Sequence, residues 1–435
     1  MDEVPDPEEL IETPPAEPSL AGTEKPYDPY APLRLREYRL YLFGNLAVNV
    51  GANMQSVAVG WELYERTGSA MALAWVGLVQ AIPIMLLALH AGQLADRLDR
   101  RRIVLFGLLV MAMASLGLAT VSHQRGSVGW MYAMLIIGAG GRAFFWPASQ
   151  ALLPQLVPGD TFGSAVTWRS TGYQIACVTG PALGGFMIGL QKTTMWVYVV
   201  DAAMALVNCC CVAAITARPV AQRTETASLK TLLAGFRYVL NNRLILAAIT
   251  LDLFAVLLGG ATALLPIYAR DILRVGPTGL GWLRAAPAVG AICMAVTLSH
   301  LPPLRQAGRM LLLAVTTFGV VTIVFGLSSS FWLSLLMLAA CGAADNVSVV
   351  VRHSLVQLRT PNEMRGRVSA VNSVFISASN ELGEFESGTV ARFFGPVTSV
   401  VSGGIGTIIV VALTAWMWPE IRRLGKLHEQ PAKKS

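Results

Sequence analysis

Apolar runs of roughly membrane length recur along this chain, separated by short polar or charged stretches. A helix rising about 1.5 Å per residue needs about 20 such residues to cross the hydrocarbon of a bilayer. Twelve runs meet that length, at 39–64, 70–93, 103–121, 129–152, 163–190, 194–215, 244–269, 278–299, 309–327, 331–357, 366–393 and 397–418. The expected fold class is an all-α membrane protein with 12 transmembrane helices. Alternate connections differ in charge. Those holding Arg66, Arg125, Lys192, Arg270 and Arg274 carry little, whereas the others collect Arg97, Arg100, Arg101 and Arg102, then Arg218, Arg223 and Lys230, and later Arg359, Arg365 and Arg367. Positive loops resist translocation, so the second set belongs in the cytoplasm together with both termini.

The pattern also repeats. Leu63-Tyr64-Glu65-Arg66 recurs as Ile267-Tyr268-Ala269-Arg270, and Leu73-Ala74-Trp75 as Leu280-Gly281-Trp282. An ungapped match at an offset of 203 pairs Pro158 with Pro361, Gly163 with Gly366, Ser170 with Ser373, Gly180 with Gly383 and Gly185 with Gly388. Several matches in one order predict two pseudo-symmetric six-helix halves, at 34–216 and 243–420. Between them lies a cytoplasmic linker, 217–242, whose Leu229, Leu232, Leu233, Phe236 and Val239 form the apolar face of an amphipathic helix lying on the membrane. A disordered acidic tail, 1–33, and a basic cytoplasmic tail, 421–435, complete the organisation.

Composition sharpens this picture. Of 435 residues, 54% are hydrophobic and only 14% charged, against about a quarter charged in soluble domains. Residues 1–33 hold nine acids and one base, Lys25, so with a net charge of +7 overall the remaining chain carries +15 (7 minus −8), concentrated in loops. That places basic side chains at a bilayer surface and gives no reason to expect nucleic acid. The acidic, proline-rich start lacks the basic n-region of a cleavable signal peptide. The six cysteines all sit in apolar runs and read as small buried hydrophobes. Neither they nor the histidines have metal-ligand spacing, and no phosphate-binding glycine loop ends in Lys-Ser/Thr, so ATP hydrolysis is not supported. No cofactor, metal or enzymatic activity is expected.

One stretch carries more than anchoring. Gly92-Gln93-Leu94-Ala95-Asp96-Arg97-Leu98-Asp99-Arg100-Arg101-Arg102 resembles the loop between helices 2 and 3 of the major facilitator superfamily. The resemblance implies a cytoplasmic gate in which Gly92, Asp96, Arg97 and Arg101 meet the start of helix 11, where Arg365 and Arg367 lie. Asp99 stands where the family usually has glycine. Helix 5 carries Gly180-Pro181-Ala182-Leu183-Gly184-Gly185, which is similar to the motif of the family's antiporters. Proline bends a helix by removing a backbone hydrogen bond, and Gly180/Gly184 and Gly185/Gly189 give close contact faces. Pro32 to Leu40, Ala143-Phe144-Phe145-Trp146-Pro147-Ala148 and Arg365-Gly366-Arg367-Val368-Ser369 look like the enterobactin-exporter branch, the transmembrane secretion effector family. Membership implies two halves enclosing a substrate near the midplane, and export of siderophores or other amphipathic compounds driven by the proton gradient.

An ionisable side chain at the bilayer centre costs about 2.5–3.5 kcal/mol and is a functional candidate by default. Asn45, Asn49 and Asn53 form a polar stripe on helix 1, for substrate contact or helix–helix hydrogen bonding. Arg142 and Asp345 are repeat partners that could pair across the cavity or locally. On helix 11, Ser373, Ser377, Asn380, Glu384 and Ser387 share a stripe, with Glu381 beside it; Asp252 lies on helix 7. Asp201 reads as structural, and Arg169 and Arg352 as gate or anchor residues. For proton coupling the candidates are Glu384, Asp252, Asp345 and Glu381. Glu384 comes first because the nearest base along its own helix, Arg392, is two turns away. For the substrate cavity they are Asn45, Asn49, Asn53, Arg142 and Asn380. The expected function is a proton-coupled exporter of an amphipathic small molecule, siderophore-like or drug-like. It would act as a monomer by alternating access in the inner (plasma) membrane, its partners being substrate, protons and the bilayer. An importer or lipid-like solute carrier of the same fold, and a transport-dead sensor or scaffold, are the alternatives.

Overall fold

The computed structural model describes residues 28–216, 236–302 and 306–422. Most of the acidic tail and the basic tail, and linker residues 217–235 with Leu229, Leu232 and Leu233 of the expected amphipathic face, lie outside the described residues. So do the side chains of Gly92, Asp96, Arg97 and Arg365, and with them most of the expected gate.

Among the described residues the chain is almost entirely helical, and helix bounds follow the apolar runs closely. The long helices are α1 (Arg36–Thr67), α2 (Ala70–Arg97), α3 (Arg100–His123), α4 (Val128–Leu156), α5 (Phe162–Gln191), α6 (Met195–Ala213), α7 (beginning Arg243–Leu258), α8 (Gly276–His300), α9 (Ala307–Leu327), α10 (Phe331–Arg359), α11 (Asn362–Phe394) and α12 (Pro396–Met417). Among the described residues, ten segments are long and apolar enough to cross a membrane. The two long helices not among them, α1 and α11, have 32 and 33 residues and carry the asparagine and carboxylate stripes. Local chemistry starts two of the helices. Asp99 caps α3, its Oδ1 accepting from the Arg101 amide at 2.9 Å, so this turn does without the family's glycine. Asn242 caps α7 in the same way through the Ile245 amide.

The helices before residue 216 pack mainly as α1 with α5 and α6, α3 with α4 and α6, and α2 with α4. Those after 236 repeat the scheme: α7 with α11 and α12, α9 with α10 and α12, and α8 with α10. The two main contacts between the groups are α5 with α8 and α2 with α11. The core reflects this. At the end holding Tyr64 and Tyr268, one hydrophobic cluster draws on both groups, including Met54, Leu63, Leu118, Leu264, Leu280 and Phe325. At the opposite end it divides. Tyr38, Leu108, Leu152 and Ile215 form one cluster; Leu251, Leu311 and Leu355 form another; and Val239, Ile245 and Val368 form a third. The groups therefore close together at the Tyr64 end and part at the other.

The expected continuous helix over 244–269 is corrected. After Leu258 the chain breaks at Gly259-Gly260, tightens through a 3₁₀ turn (Ala261–Leu264), and passes by Leu265–Ile267 into a π turn, Tyr268–Ile272. Helix–helix contact calls for glycine at the break. A methyl group on Gly260 would lie 2.8 Å from the carbonyl carbon of Gly383 on α11, closer than packed atoms approach.

Candidate functional site

Above the closed end, side chains of both groups line a cavity of about 150 Å³. Gln55, Gln80 and Arg142 come from α1, α2 and α4; Arg284, Glu381 and Glu384 come from α8 and α11. Arg142 donates through Nη2 to Gln80 Oε1 at 3.2 Å, while its Nε is buried without a partner. Arg284 reaches across to α1, its Nη1 lying 3.5 Å from the Ser56 carbonyl oxygen. No hydrogen bond or salt bridge reaches Glu381 or Glu384 from the described residues, although Arg142 and Arg284 act on them electrostatically.

Recesses share this lining. One of about 200 Å³ runs from Arg142 past Asn49 and Asn53 to Trp146 and Tyr173. Another, of about 270 Å³, takes in Asn45, Asn49 and Arg169. A third, of about 210 Å³, lies against Asp345, Asn380 and Glu384. The asparagine stripe is a ladder. Asn45 Nδ2 donates to the Tyr41 carbonyl at 2.9 Å, Asn49 to that of Asn45 at 2.6 Å, and Asn53 to that of Asn49 at 2.9 Å. The substrate-cavity candidates Asn45, Asn49, Asn53, Arg142 and Asn380 thus all line recesses between or within the two groups.

The closed end is built from repeat-related parts. Tyr64 donates its hydroxyl to Asp271, and Arg270 Nη1 donates to the Tyr64 carbonyl at 3.1 Å. The Arg270 guanidinium also lies 5.5 Å from the centre of the Tyr64 ring. Where α5 crosses α8, a methyl on Gly185 would sit 2.8 Å from the Cα of Gly281. Where α11 crosses α2, one on Gly388 would sit 2.9 Å from the Cα of Ala74. The sequence repeat carries Gly185 to Gly388 and Ala74 to Gly281, so each crossing is the counterpart of the other. In the helix-5 motif Gly180 and Gly184 face α1, with methyl-equivalent distances of 2.8 Å to the Val50 carbonyl and 3.0 Å to the Met54 Cα. Buried Pro181 lies between the two faces.

Other candidates separate into local clusters. Arg142 and Asp345 do not pair. Asp345 shares a small recess with Asp252, and Asp252 is in a salt bridge with Arg352, which is 3% exposed. Arg352 is therefore a buried partner of α7, not a surface anchor. Asp201 accepts from Ser115 Oγ at 2.6 Å. Arg101 donates from Nε to the Val212 carbonyl at 3.1 Å and from Nη2 to that of Ala213, which places it on the end of α6. Arg367 makes a local contact with Met364 Sδ at 3.6 Å.

Two residues escaped the sequence reading. Glu62 on α1 is 3% exposed. It bridges to Arg66 and accepts from Thr194 Oγ1 at 2.6 Å and Tyr198 Oη at 2.8 Å. Arg284 is the other, and it corrects the reading that put Glu384 far from any base: the base arrives from another helix. Its signal lay in the repeat, since Gly281 matches Ala74 and three residues on Arg284 stands against Gly77.

Residues 27–431 match the family model described as transmembrane secretion effector. The chain is 25% identical over 402 residues to the multidrug efflux pump Tap of Mycolicibacterium fortuitum, covering 88% of this chain and 96% of that one. It is 25% identical over 342 residues to the enterobactin exporter EntS of Shigella boydii serotype 18, covering 78% and 81%. Among solved structures, a bacterial homologue of the human lysosomal transporter Spinster, inward-facing and occupied, superposes with a TM-score of 0.70 at 16% identity, covering 94% of this chain and 100% of that one. The nucleoside transporter NupG gives 0.69 at 13% identity, covering 88% and 99%. The fold is that of these transporters, and the chain belongs to the transmembrane secretion effector family of the major facilitator superfamily, a multi-pass membrane transporter of small molecules.

Proposed function

We propose that this protein is a proton-coupled exporter of an amphipathic small molecule. It works by alternating access between two six-helix halves, 34–216 and 243–420, with the divided end of its core in the cytoplasm. The repeated packing scheme supports the two halves, and the arginine-rich turn at Arg100–Arg102 supports the orientation. The efflux pump and the exporter among its relatives support the direction. The observation that carries the reading is the pair of carboxylates without hydrogen-bond partners among the described residues, Glu381 and Glu384, in a cavity walled by both halves. A membrane protein keeps such costly charges where they move ions or bind substrate. Asp252 is held by Arg352 and Asp345 lies beside it, which ranks both below Glu384 as the proton carrier. The amide ladder, Trp146 and Tyr173 suit a cargo with a polar face and a flat apolar one.

Proteoliposomes with an imposed pH gradient test this. The probes are a panel of amphipathic dyes and a catecholate chelator. Wild type accumulates one of them against its gradient. Glu384→Gln loses that accumulation while exchange of labelled for unlabelled probe survives. Accumulation at the wild-type rate in Glu384→Gln removes Glu384 as the proton site. Cysteines placed at Ser69 and Ser127 label from outside whole cells, and ones at Leu98 and Thr226 only after permeabilisation; the reverse pattern overturns the orientation.

A further inference from the structure

The two crossings between the helix groups are counterparts in sequence and contact, yet charged residues break the likeness. On α11 Glu381, Glu384 and Glu386 replace Val178, Pro181 and Leu183 of α5, and on α8 Arg284 replaces Gly77 of α2. Glu384 and Arg284 line the same cavity. Arg284 has two acceptors in its surroundings: the carboxylate of Glu384, which lines the same cavity, and the Ser56 carbonyl of α1, which it contacts at 3.5 Å. Gly60, one turn on, has no side chain to cover that carbonyl, and a methyl there would lie 3.8 Å from Arg284 Nη1 and 3.1 Å from Pro266. The guanidinium thus spans the boundary between the groups, just above the closed end.

We infer that Arg284 reads the protonation of Glu384. It pairs with the ionised carboxylate and, when Glu384 takes up a proton, donates instead to the Ser56 carbonyl and holds the two groups together at the Tyr64 end. This rests on the proposed role of Glu384 and deepens it. The direction suits an antiporter. A proton bound from outside frees Arg284 for α1, closes the outer end and is carried inward. Its release inside returns Arg284 to Glu384 and loosens that end for outward opening with cargo. The arrangement in the structure, with the α1 contact made and no salt bridge to Glu384, is the closed member of the pair. The other charges facing Glu384 are Glu381 on its own helix, Arg142 on α4 and Asp345 on α10.

The test is the pH dependence of the outer-end distance in the full-length protein in lipid nanodiscs. The six native cysteines are replaced by alanine, and spin labels are attached at Ser127→Cys and Ser329→Cys. In this parent the ratio of closed to open distances rises about tenfold as pH falls from about 8 to about 5, the range of a single linked proton. Glu384→Gln gives a ratio shifted toward closed that no longer follows pH. Arg284→Gln gives a ratio shifted toward open that no longer follows pH. If Arg284→Gln keeps the parent's pH response, or is fixed closed, while Glu384→Gln is flat, the inference fails and the proton site stands. If Glu384→Gln keeps the parent's response, the proton site fails and the inference with it. Should Arg284→Gln not fold, Arg284→Lys decides. Its ammonium cannot serve both partners as the longer guanidinium does, so the response drops to half or less, and a full response overturns the inference.

Discussion

Glu62 and Glu384 are both glutamates within long helices, and they are treated in opposite ways. Each carboxylate oxygen of Glu62 is engaged, one by Arg66 and the other by Thr194 and Tyr198, and Arg66 is fixed in turn by the Gly126 carbonyl at 2.8 Å. Three helices are tied at that point. Glu384 and its neighbour Glu381 have arginines in the same cavity but no such bonds. A buried charge with every lone pair met is costly to remove, because its partners are left unpaired. One without hydrogen-bond partners costs little to neutralise. The first kind holds a fold; the second is available for exchange with protons or cargo.

Substitutions can break or sharpen that contrast. Glu62→Ala should have the largest effect on stability, about 3–5 kcal/mol, read as a large fall in the thermal unfolding midpoint of detergent-purified protein; a midpoint near wild type would place Glu62 in the dispensable class. Next comes Gly281→Val, which forces side-chain atoms into the Gly185 backbone. Overpacking of this kind costs about 1–3 kcal/mol, and here it falls only on the closed arrangement, so cysteine labelling at Ser127 should increase. Tyr64→Phe removes one hydrogen bond to a carboxylate, worth about 1.5 kcal/mol or more, and should shift the same labelling in the same direction by several-fold with folding intact. Glu381→Gln should have the smallest effect. Its unfolding midpoint should stay within about 1–2 °C of wild type, and a fall like that of Glu62→Ala would erase the distinction between the two sites.

Much of the architecture was legible because a bilayer imposes a length. The apolar runs set the helix bounds, and the repeat marked Gly185 and Gly388 as counterparts. The break in α7 was not read, although Gly259-Gly260 marked it, because an apolar run reports burial and not continuity. Site chemistry was legible where it lay on one helix. The spacing of Asn45, Asn49 and Asn53 revealed a face, and Glu381 and Glu384 stood out as acids in an apolar context. What brings Arg284 into one cavity with Glu384 is the packing of the two helix groups, and no spacing along either helix encodes that. Glu62 was passed over because it sits beside Arg66 near the end of a run, where charge looks interfacial. Its 3% exposure comes from α6, more than a hundred residues on in the chain.

The asparagine ladder of α1 has a consequence for cargo. A main-chain carbonyl can only accept, so each amide must turn its nitrogen to the backbone and its oxygen away. Asn49 and Asn53 therefore give that wall a track of fixed oxygens, each NH₂ holding a carbonyl, while the Asn45 oxygen already accepts from Ser149 Oγ at 3.3 Å. Such a track is selective by sign. Solutes bearing ammonium, amide N–H or hydroxyl groups find anchors along it, whereas a solute offering only oxygens must rely on Arg142 and Arg169.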